Sequence, residues 1–430
     1  MSSNKLVVGL AGYGVVGTGF ARALDEGRDL IRRRTGRDIF IKTIAVKDKN
    51  EAFAYPLPGT AELVTDVNAI CNDPEIDVAV ELMGGTGIAR HFIQKSLESG
   101  KHVVTANKAL LAEDGVDLFR IAGEKNLYLG YEASVCGGIP IVQAMRESLA
   151  GNNILTLSGI LNGTCNYILS AMSAKGQSFT DALKDAQKLG YAEADPTLDI
   201  EGLDAAHKLV LLIRLAWGID YPFRDLPVKG ISAVSPKDIG FAHELGYRIK
   251  LIGHAMKNNG KVEAGVFPTL VHEDLMLAKV DGSFNAVWVK GNAVGTVFMH
   301  GRGAGDMPTG SAVLSDILAI ARDAKPNNTG FVAQVPEKAD LLDPMQAESK
   351  QYFRLMVPDR PGVLRDVAGV LADNGMSIAQ AIQKGEQDVV PLVFMTHAAR
   401  SEAVQKAIKT LHDKDLLRAD PVNYRVLARE

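Results

Sequence analysis

The sequence predicts an α/β protein in three parts: an N-terminal doubly wound parallel sheet, a central α+β region and a C-terminal βαββαβ sandwich. Three observations carry that expectation. Short apolar runs alternate with helical patterns over residues 5–135, the mark of βαβ units. A G-x-G-x-x-G cluster, Gly12, Gly14 and Gly17, falls directly between the first strand and the first helix. Residues 351–430 run strand, helix, strand, strand, helix, strand, the order of a small ferredoxin-like sandwich.

The totals narrow the class. A chain of 430 residues suits two or three domains. Its net charge of −4 comes without a basic stripe, so nucleic acid is not the expected partner. No stretch approaches the roughly 18 apolar residues of a membrane span. The opening "MSSNKLVVGLAGYGVVG" has its apolar run broken by glycines and reads as strand plus turn, not as a signal peptide. Cys71, Cys136 and Cys165 are too scattered for a disulfide framework or a zinc site, which points to a reducing cytoplasm.

In the first part, strands are expected at "KLVVGLAG", "IKTIAV" (41–46), "IDVAVELM" (76–83), "HVVTA" (102–106) and "LYLGYEA" (127–133), with helices at 88–99 and 114–125. The segment "RDLIRRRTGRD" (28–38) is expected to lengthen the first helix with a solvated, charged face. The glycine cluster lets a pyrophosphate approach the helix N-terminus, as in a Rossmann-type domain; the plainer alternative is a tight turn. An acidic residue at the end of the second strand suits a ribose 2′-OH, and a basic one a 2′-phosphate. Here Lys47, Asp48 and Lys49 offer both with a basic excess, favouring NADP and leaving NAD open, or forming only a charged loop. Lys108, in "VVTANKALLA", lies just past the fourth strand, where ligands collect. It can polarise a carbonyl or hold a carboxylate, or simply open a helix in solvent.

The central part mixes helices at 139–150, 162–175, 180–189 and 203–217 with strand-like runs at 154–160, 228–234, 248–256, 261–270 and 286–290. A sheet covered by helices on one side is expected. The stretch 301–324 returns to a glycine turn and a helix that packs back on the nucleotide domain. The expected division is therefore 1–135, 136–324, a linker at 325–350 and 351–430. In the last part, Pro391 inside the third strand signals interrupted pairing or an edge.

Two stretches carry further chemistry. The loop "YEASVCGGIP" (131–140) can gather backbone carbonyls around a monovalent cation; its spacing alone favours a plain hinge. "LGYAEADPTLDIEGLDAAHK" (189–208) gathers Glu193, Asp195, Asp199, Glu201 and Asp204 before a helix. Acid there suits a helix N-terminus. Yet Asp204 and Lys208 are four apart, on the same helical face as Leu211, Leu212 and Leu215. A carboxylate and an ammonium on an apolar stripe persist only when paired or used, so this is either a structural ion pair or a working one. His207 faces another side and is expected to be structural or peripheral. The remaining histidines show no metal-ligand spacing.

Taken together, "GYGVVG", "VVTANKALLA", "EASVCGGIP", "LNGTCNYIL", "LGYAEADPTLDIEGLDAAHK" and "GRGAGDMPT" resemble the homoserine dehydrogenases over nearly the whole length. The tail "FRLMVPDRPGVLRDVAGVLADNGMSI" resembles an ACT domain, an amino-acid-sensing module. The resemblance implies reversible NAD(P)-dependent interconversion of L-homoserine and L-aspartate 4-semialdehyde, serving threonine, methionine and isoleucine synthesis. It implies Lys208 as proton donor and acceptor, Asp204 as its orienting carboxylate, and Lys108 as shared between cofactor and substrate. Glu193 would hold the substrate's amino group, with Asp199 beside it. Val15, Val16, Thr86 and Gly305 would join the glycines and Lys47 around the cofactor. Glu132, Val135, Gly137 and Ile139 would hold sodium. The long basic insertion departs from shorter relatives and bears on the contacts near Lys47.

Charge supplies the mechanism. Hydride arriving at an aldehyde carbon leaves an alkoxide; a nearby ammonium can protonate it, and the reverse reaction needs the neutral amine. The apolar stripe lowers the pKa of Lys208 and Asp204 raises it, an opposition the sequence leaves open. In the tail, Asp359, Arg360, Pro361 and Gly362 form a turn before a helix that can receive an amino acid's carboxylate. L-threonine between two such modules is the expected effector, with a dimerisation-only module as the alternative. A homodimer or homotetramer is expected. Rival readings are another semialdehyde or amine dehydrogenase, for which Cys136 would be the nearby thiol, and a cofactor-binding metabolite sensor without turnover.

Overall fold

A computed structural model describes residues 5–59, 61–385 and 387–428. The first sheet contains β1 (Lys5–Ala11), β2 (Asp38–Ala45), β3 (Glu62–Val64), β4 (Val78–Glu81), β5 (His102–Thr105) and β6 (Leu129–Gly130). They are arranged β3-β2-β1-β4-β5-β6, all in parallel. The strand order reverses between β1 and β4, which opens a ligand crevice at their carboxyl ends. β3 was not expected; three residues are too few to show a period. The fifth expected strand shrinks to Leu129–Gly130, because Glu132–Ser134 coil into a 3-10 turn. The basic insertion does not extend the first helix. Gly27 ends that helix at Glu26, and Arg28–Thr35 form a separate one, closed by Gly36 at φ 72°. Its last turn carries Arg32, Arg33 and Arg34, which suits the negative end of a helix dipole.

The central part supplies β7 (Ile154–Ile160), β8 (Ile219–Asp220), β9 (Tyr247–Asn258), β10 (Lys261–His272), β11 (Phe284–Gly291) and β12 (Gly295–Arg302). Leu157, Leu251, Ala255 and Val266 from this sheet share one apolar core with Ile168, Leu209 and Leu212 of the helices Gly163–Lys175 and Leu203–Trp217. The catalytic-helix candidate is thus anchored against the sheet as its apolar composition demands. Residues 228–234 do not form a strand; only Val228 bridges to Val266. The elements missed include the short β8, β12, whose residues are half-exposed or exposed, and the helix Pro236–Glu244, capped by Ser235. The helix Asp306–Ala321 does pack back on the nucleotide part. It approaches the first helix so closely that a Cβ at Gly19 would lie 2.1 Å from the Asp306 carbonyl oxygen.

Residues 325–349, read from sequence as a linker, are tied down along their path. The buried Asn328 bonds Leu129 N and the Leu127 carbonyl, continuing the edge of β6. β13 (Glu337–Lys338) pairs with β8, and Leu342 N donates to the Val262 carbonyl. Beyond lie β14 (Glu348–Pro358), the helix Val363–Asp373, β15 (Ile378–Gln383), β16 (Val389–Thr396), β17 (Ala399–Arg400), the helix Ser401–Asp413 and β18 (Val422–Val426). Pro391 keeps its register with Met356 of β14 in a strand that has neighbours on both sides; only the pairing with β15 stops short of it, at Leu392.

The sandwich is not a separate sheet. Thr269 and Leu270 of β10 pair in parallel with Arg425 and Val426 of β18. One sheet therefore runs β12-β11-β7-β9-β10-β18-β14-β16-β15. A buried bidentate pair reinforces the joint: Arg354 meets both Asp238 oxygens, at 2.6 and 3.0 Å, and Tyr352 Oη donates to Asp238 at 3.1 Å. Among the described residues no helix is long and apolar enough to cross a membrane.

Candidate active site

At the β1 turn, Gly12 has φ 101°, and a Cβ there would lie 2.6 Å from the Leu82 carbonyl oxygen of the neighbouring strand end. Gly14 is different: a Cβ there would meet nothing within 4 Å. The open side of Gly14 lies at the helix start Val15–Glu26, which has neither a side-chain cap nor an acidic residue in its first turn. Unpaired N–H groups therefore face free space, the arrangement that receives a pyrophosphate. Val15 beside it is 68% exposed, an apolar surface that a flat ring can cover. A cavity of about 220 Å³ continues past Val16, Met83, Gly84 and Asn107. Glu81 shapes its wall by accepting from Met83 N, Gly84 N and Thr105 Oγ1. Thr86 is exposed on the same loop, and Lys47, Asp48 and Lys49 are exposed beyond β2. Asp48 accepts from the Asn50 backbone N and side-chain amide at its Oδ1 alone, and so stays an exposed charge between the two lysines. These residues fit a dinucleotide.

The charged pair lies on the helix Leu203–Trp217, and Lys108 reaches it from the turn after β5. Lys208 Nζ donates to Asp204 Oδ2 at 2.7 Å and to the Leu161 carbonyl at 2.7 Å. Lys108 Nζ approaches the other oxygen, Asp204 Oδ1, at 3.2 Å. Lys108 opens its helix behind the Asn107 cap, and its side chain is 39% exposed, against 10% for Asp204 and for Lys208. The cluster therefore reaches solvent through Lys108, at the rim of the crevice. Burial opposes the Asp204 charge, but the two ammonium groups outweigh it and hold the carboxyl well below the usual carboxylate range. Burial opposes the Lys208 charge as well, yet Asp204 prevails and raises that amine's pKa. Of the two opposing influences, the pairing with Asp204 outweighs burial and favours the ammonium.

Asp199 is held by Asn162 and is pushed upward by burial and by Asp204. Glu193 is exposed on the loop before it, anchored through its carbonyl to Gln187. His207 stacks on Phe223 at 4.3 Å and bonds Glu113 at 2.7 Å, a packing role. Sequence reasoning missed Asn162 and Asn285. Asn285 Nδ2 donates to the same Leu161 carbonyl that Lys208 uses, at 2.8 Å. Asn162 had a signal, an Asn opening the helix after a strand; Asn285, inside β11, had none.

The loop 131–140 closes the site from below. Cys136 and Gly137 have φ 54° and 38°, and Gly138 N bonds the Arg302 carbonyl, joining this loop to the turn that leads to Gly305. Glu132 is buried, accepts from Val142 N and Gln143 N, and is pushed up to about 7, first by burial and then by Asp316. Carboxylate and carbonyl oxygens at Glu132, Val135, Gly137 and Ile139 are donors that suit a hard monovalent cation. Among the described residues, no group of three or more His, Cys, Asp or Glu is placed to hold a metal. Cys136 is fully buried and burial raises its thiol pKa, the opposite of an activated nucleophile.

A dinucleotide crevice whose rim carries an ammonium poised on a carboxylate defines an NAD(P)-dependent dehydrogenase. Family descriptions match in the same places: "Homoserine dehydrogenase, NAD binding domain" over residues 12–132, "Homoserine dehydrogenase" over 140–318 and "ACT domain" over 352–414. The chain belongs to the homoserine dehydrogenase family. It is 44% identical to a homoserine dehydrogenase of Neisseria gonorrhoeae, covering 95% of each chain. A crystal structure of the Thiobacillus denitrificans homoserine dehydrogenase superposes with a TM-score of 0.94 at 41% identity, covering 98% of each chain. A hyperthermophilic archaeal homoserine dehydrogenase solved with NADPH matches at a TM-score of 0.61 and 25% identity, covering 75% of this chain and 99% of that one.

Proposed function

We propose that the protein interconverts L-aspartate 4-semialdehyde and L-homoserine with NADP as its preferred cofactor, in the synthesis of threonine, methionine and isoleucine. The observation that carries this reading is Asp204 joining Lys208 and Lys108 at the rim of the crevice. The cofactor, when bound along Gly12, Gly14, Gly17, Val15, Val16, Thr86 and Gly305, supplies or accepts the hydride. Lys208, kept as an ammonium, gives its proton to the aldehyde oxygen as negative charge develops there. Asp204 holds the amine in place and stabilises its charge. Lys108 polarises the same oxygen from the nucleotide side, and Glu193 with Asp199 receives the substrate's ammonium. In the oxidative direction Lys208 must first be neutral to take the alcohol proton. The exposed Lys47 and Lys49 support a 2′-phosphate, and the archaeal relative solved with NADPH is consistent with it.

Sodium at Glu132, Val135, Gly137 and Ile139 braces the loop under the site. L-threonine at the exposed turn Asp359–Arg360–Pro361–Gly362, between two ACT modules of a homodimer or homotetramer, lowers activity. The sheet continuous from β10 to β18 supports such regulation, since the module shares a ladder with the catalytic core. The three cysteines are free, in keeping with a cytoplasmic protein. The test is NADPH consumption with L-aspartate 4-semialdehyde and chemical identification of L-homoserine. No consumption in the intact protein would refute the reading.

A further inference from the structure

β7 ends at Ile160, and two residues later Asn162 opens the helix Gly163–Lys175. Asn162 has extended backbone angles, and its Oδ1 accepts from Cys165 N at 2.8 Å, an ordinary N-cap. That bond fixes which way the amide faces. With Oδ1 turned to a backbone N–H, Nδ2 points away from the helix, and its two hydrogens meet two acceptors. They are Asp199 Oδ1 at 2.6 Å and Asp204 Oδ2 at 2.8 Å. The side chain is 4% exposed, so water does not compete for these bonds. The preceding residue, Leu161, offers its carbonyl to Lys208.

We infer that Asn162 is a positioning residue for proton transfer: its amide clamps the Asp199 and Asp204 carboxylates side by side and fixes the oxygen on which Lys208 rests. This rests on the reading of Lys208 and Asp204 as the proton-transfer pair. Capping alone does not explain the choice of residue, because Ser and Asp cap equally well and use only an acceptor oxygen. What Asn adds is the NH₂ group, and both of its hydrogens go to the site. The two carboxylates repel each other, and Asp199 is already driven upward by burial and by Asp204. The groups facing Asp199 are Asp204 and Lys208 on the catalytic helix, Thr164 on the capped helix and Asn162 itself. Lys108 lies beyond Asp204, and Cys165 Sγ donates to the Asp199 carbonyl at 3.0 Å. Without the amide, Asp199 keeps Thr164 as a neutral partner but loses the one donor it shares with Asp204, and it takes up a proton at a higher pH.

The test is Asn162→Ser in the full-length protein, which keeps a cap oxygen but cannot reach both carboxylates. The expected kcat falls about 10- to 100-fold, as for lost hydrogen bonds to charged groups. The KM for the semialdehyde rises, the KM for NADPH stays within about twofold, and the acid limb of kcat/KM moves to higher pH. Asn162→Asp keeps both cap and shape and covers the case in which the Ser variant fails to fold. Its carboxyl can donate only when protonated, so it regains activity as the pH falls. Variants with the wild-type kcat, KM and pH profile, altered only in thermal midpoint, would show a cap and nothing more and would overturn the inference. Wild-type protein that fails to reduce the semialdehyde would instead overturn the underlying reading.

Discussion

Lys108 Nζ lies 3.2 Å from Asp204 Oδ1, so a lysine just past β5 of the nucleotide sheet is paired with a carboxylate on the central helix. The opposite oxygen of that carboxylate carries Lys208. One acid thus binds two cations from the two sides of the cleft, which explains how it stays ionised while nearly buried. Removing Lys208 leaves Asp204 with Lys108 and Asn162 as partners, so the fold tolerates the loss. Lys208→Ala is expected to lower kcat by about 10²–10⁴-fold with little change in NADPH affinity measured by fluorescence titration. Normal turnover in this variant would remove the proton-transfer role.

The direction of the Lys208 shift fixes a pH dependence. A raised pKa keeps the amine protonated through neutral pH. Reduction of the aldehyde should then be flat there, and oxidation of homoserine should keep rising into the alkaline range. Asp204→Asn removes the charge that holds the proton, so the oxidation profile moves to lower pH. Stability follows the same groups. The depressed Asp204 contributes above its unfolded value and loses that contribution as pH falls through its folded one. The raised Lys208 contributes below its unfolded value and loses that contribution as pH rises through its folded one. The pair is therefore fully stabilising between the ordinary values of 3.8 and 10.5. Breaking it costs up to about 3–5 kcal/mol, most of it the uncompensated amine. Thermal melts of Asp204→Asn from pH 5 to 9 should lie below the wild type throughout; coincident curves would contradict the assignment.

Lys47 and Lys49 stand exposed where the adenosine ribose of a dinucleotide lies in this fold. Lys47→Glu should raise the KM for NADPH about 10- to 100-fold, the worth of a lost charge-assisted contact plus repulsion, and leave that for NADH far less changed. Equal effects on the two cofactors would show that no 2′-phosphate is read there.

Local patterns were legible and long-range pairing was not. The glycine turn, the strands β1, β4 and β5 and the helix Leu203–Trp217 all follow from periods within one segment. β3 lacks the length to show a period, and β12 alternates too weakly, with none of its residues buried along an edge. The union of two sheets depends on Thr269 and Leu270 meeting Arg425 and Val426, more than 150 positions apart, and no spacing rule announces that. The site divides in the same way. Asp204 and Lys208 are visible because a helix stacks them, whereas Asn162 meets acids 37 and 42 residues away.

Glu132 offers a test of the cation site. Its carboxylate is buried beside Asp316, and a bound cation would offset that charge. Sodium should raise the thermal midpoint by about 1–3 °C over choline at equal ionic strength, as binding to the native state requires. Glu132→Gln should abolish the difference. A midpoint indifferent to the choice of cation in the wild-type protein would leave no place for sodium.

The last prediction concerns how the ACT module reaches the site. Lys229 Nζ lies 5.6 Å above the Tyr424 ring of β18, and Tyr424 stacks on Tyr352 of β14, which bonds Asp238. On the other side of Lys229, Ile231 N donates to the Ile200 carbonyl at 2.8 Å, and a Cβ at Gly230 would lie 2.3 Å from that same oxygen. Ile200 follows Asp199 directly. The tyrosines of the module are therefore packed, through residues 229–231, against the turn that carries Asp199. If L-threonine acts on activity, Tyr424→Leu should raise the threonine concentration for half-inhibition by about 2- to 30-fold, the usual range for residues between coupled sites, with uninhibited kcat unchanged. Arg360→Ala, in the turn proposed for the effector, should weaken threonine binding in calorimetry. Inhibition of Tyr424→Leu identical to that of the wild type would mean that the signal does not pass through this contact.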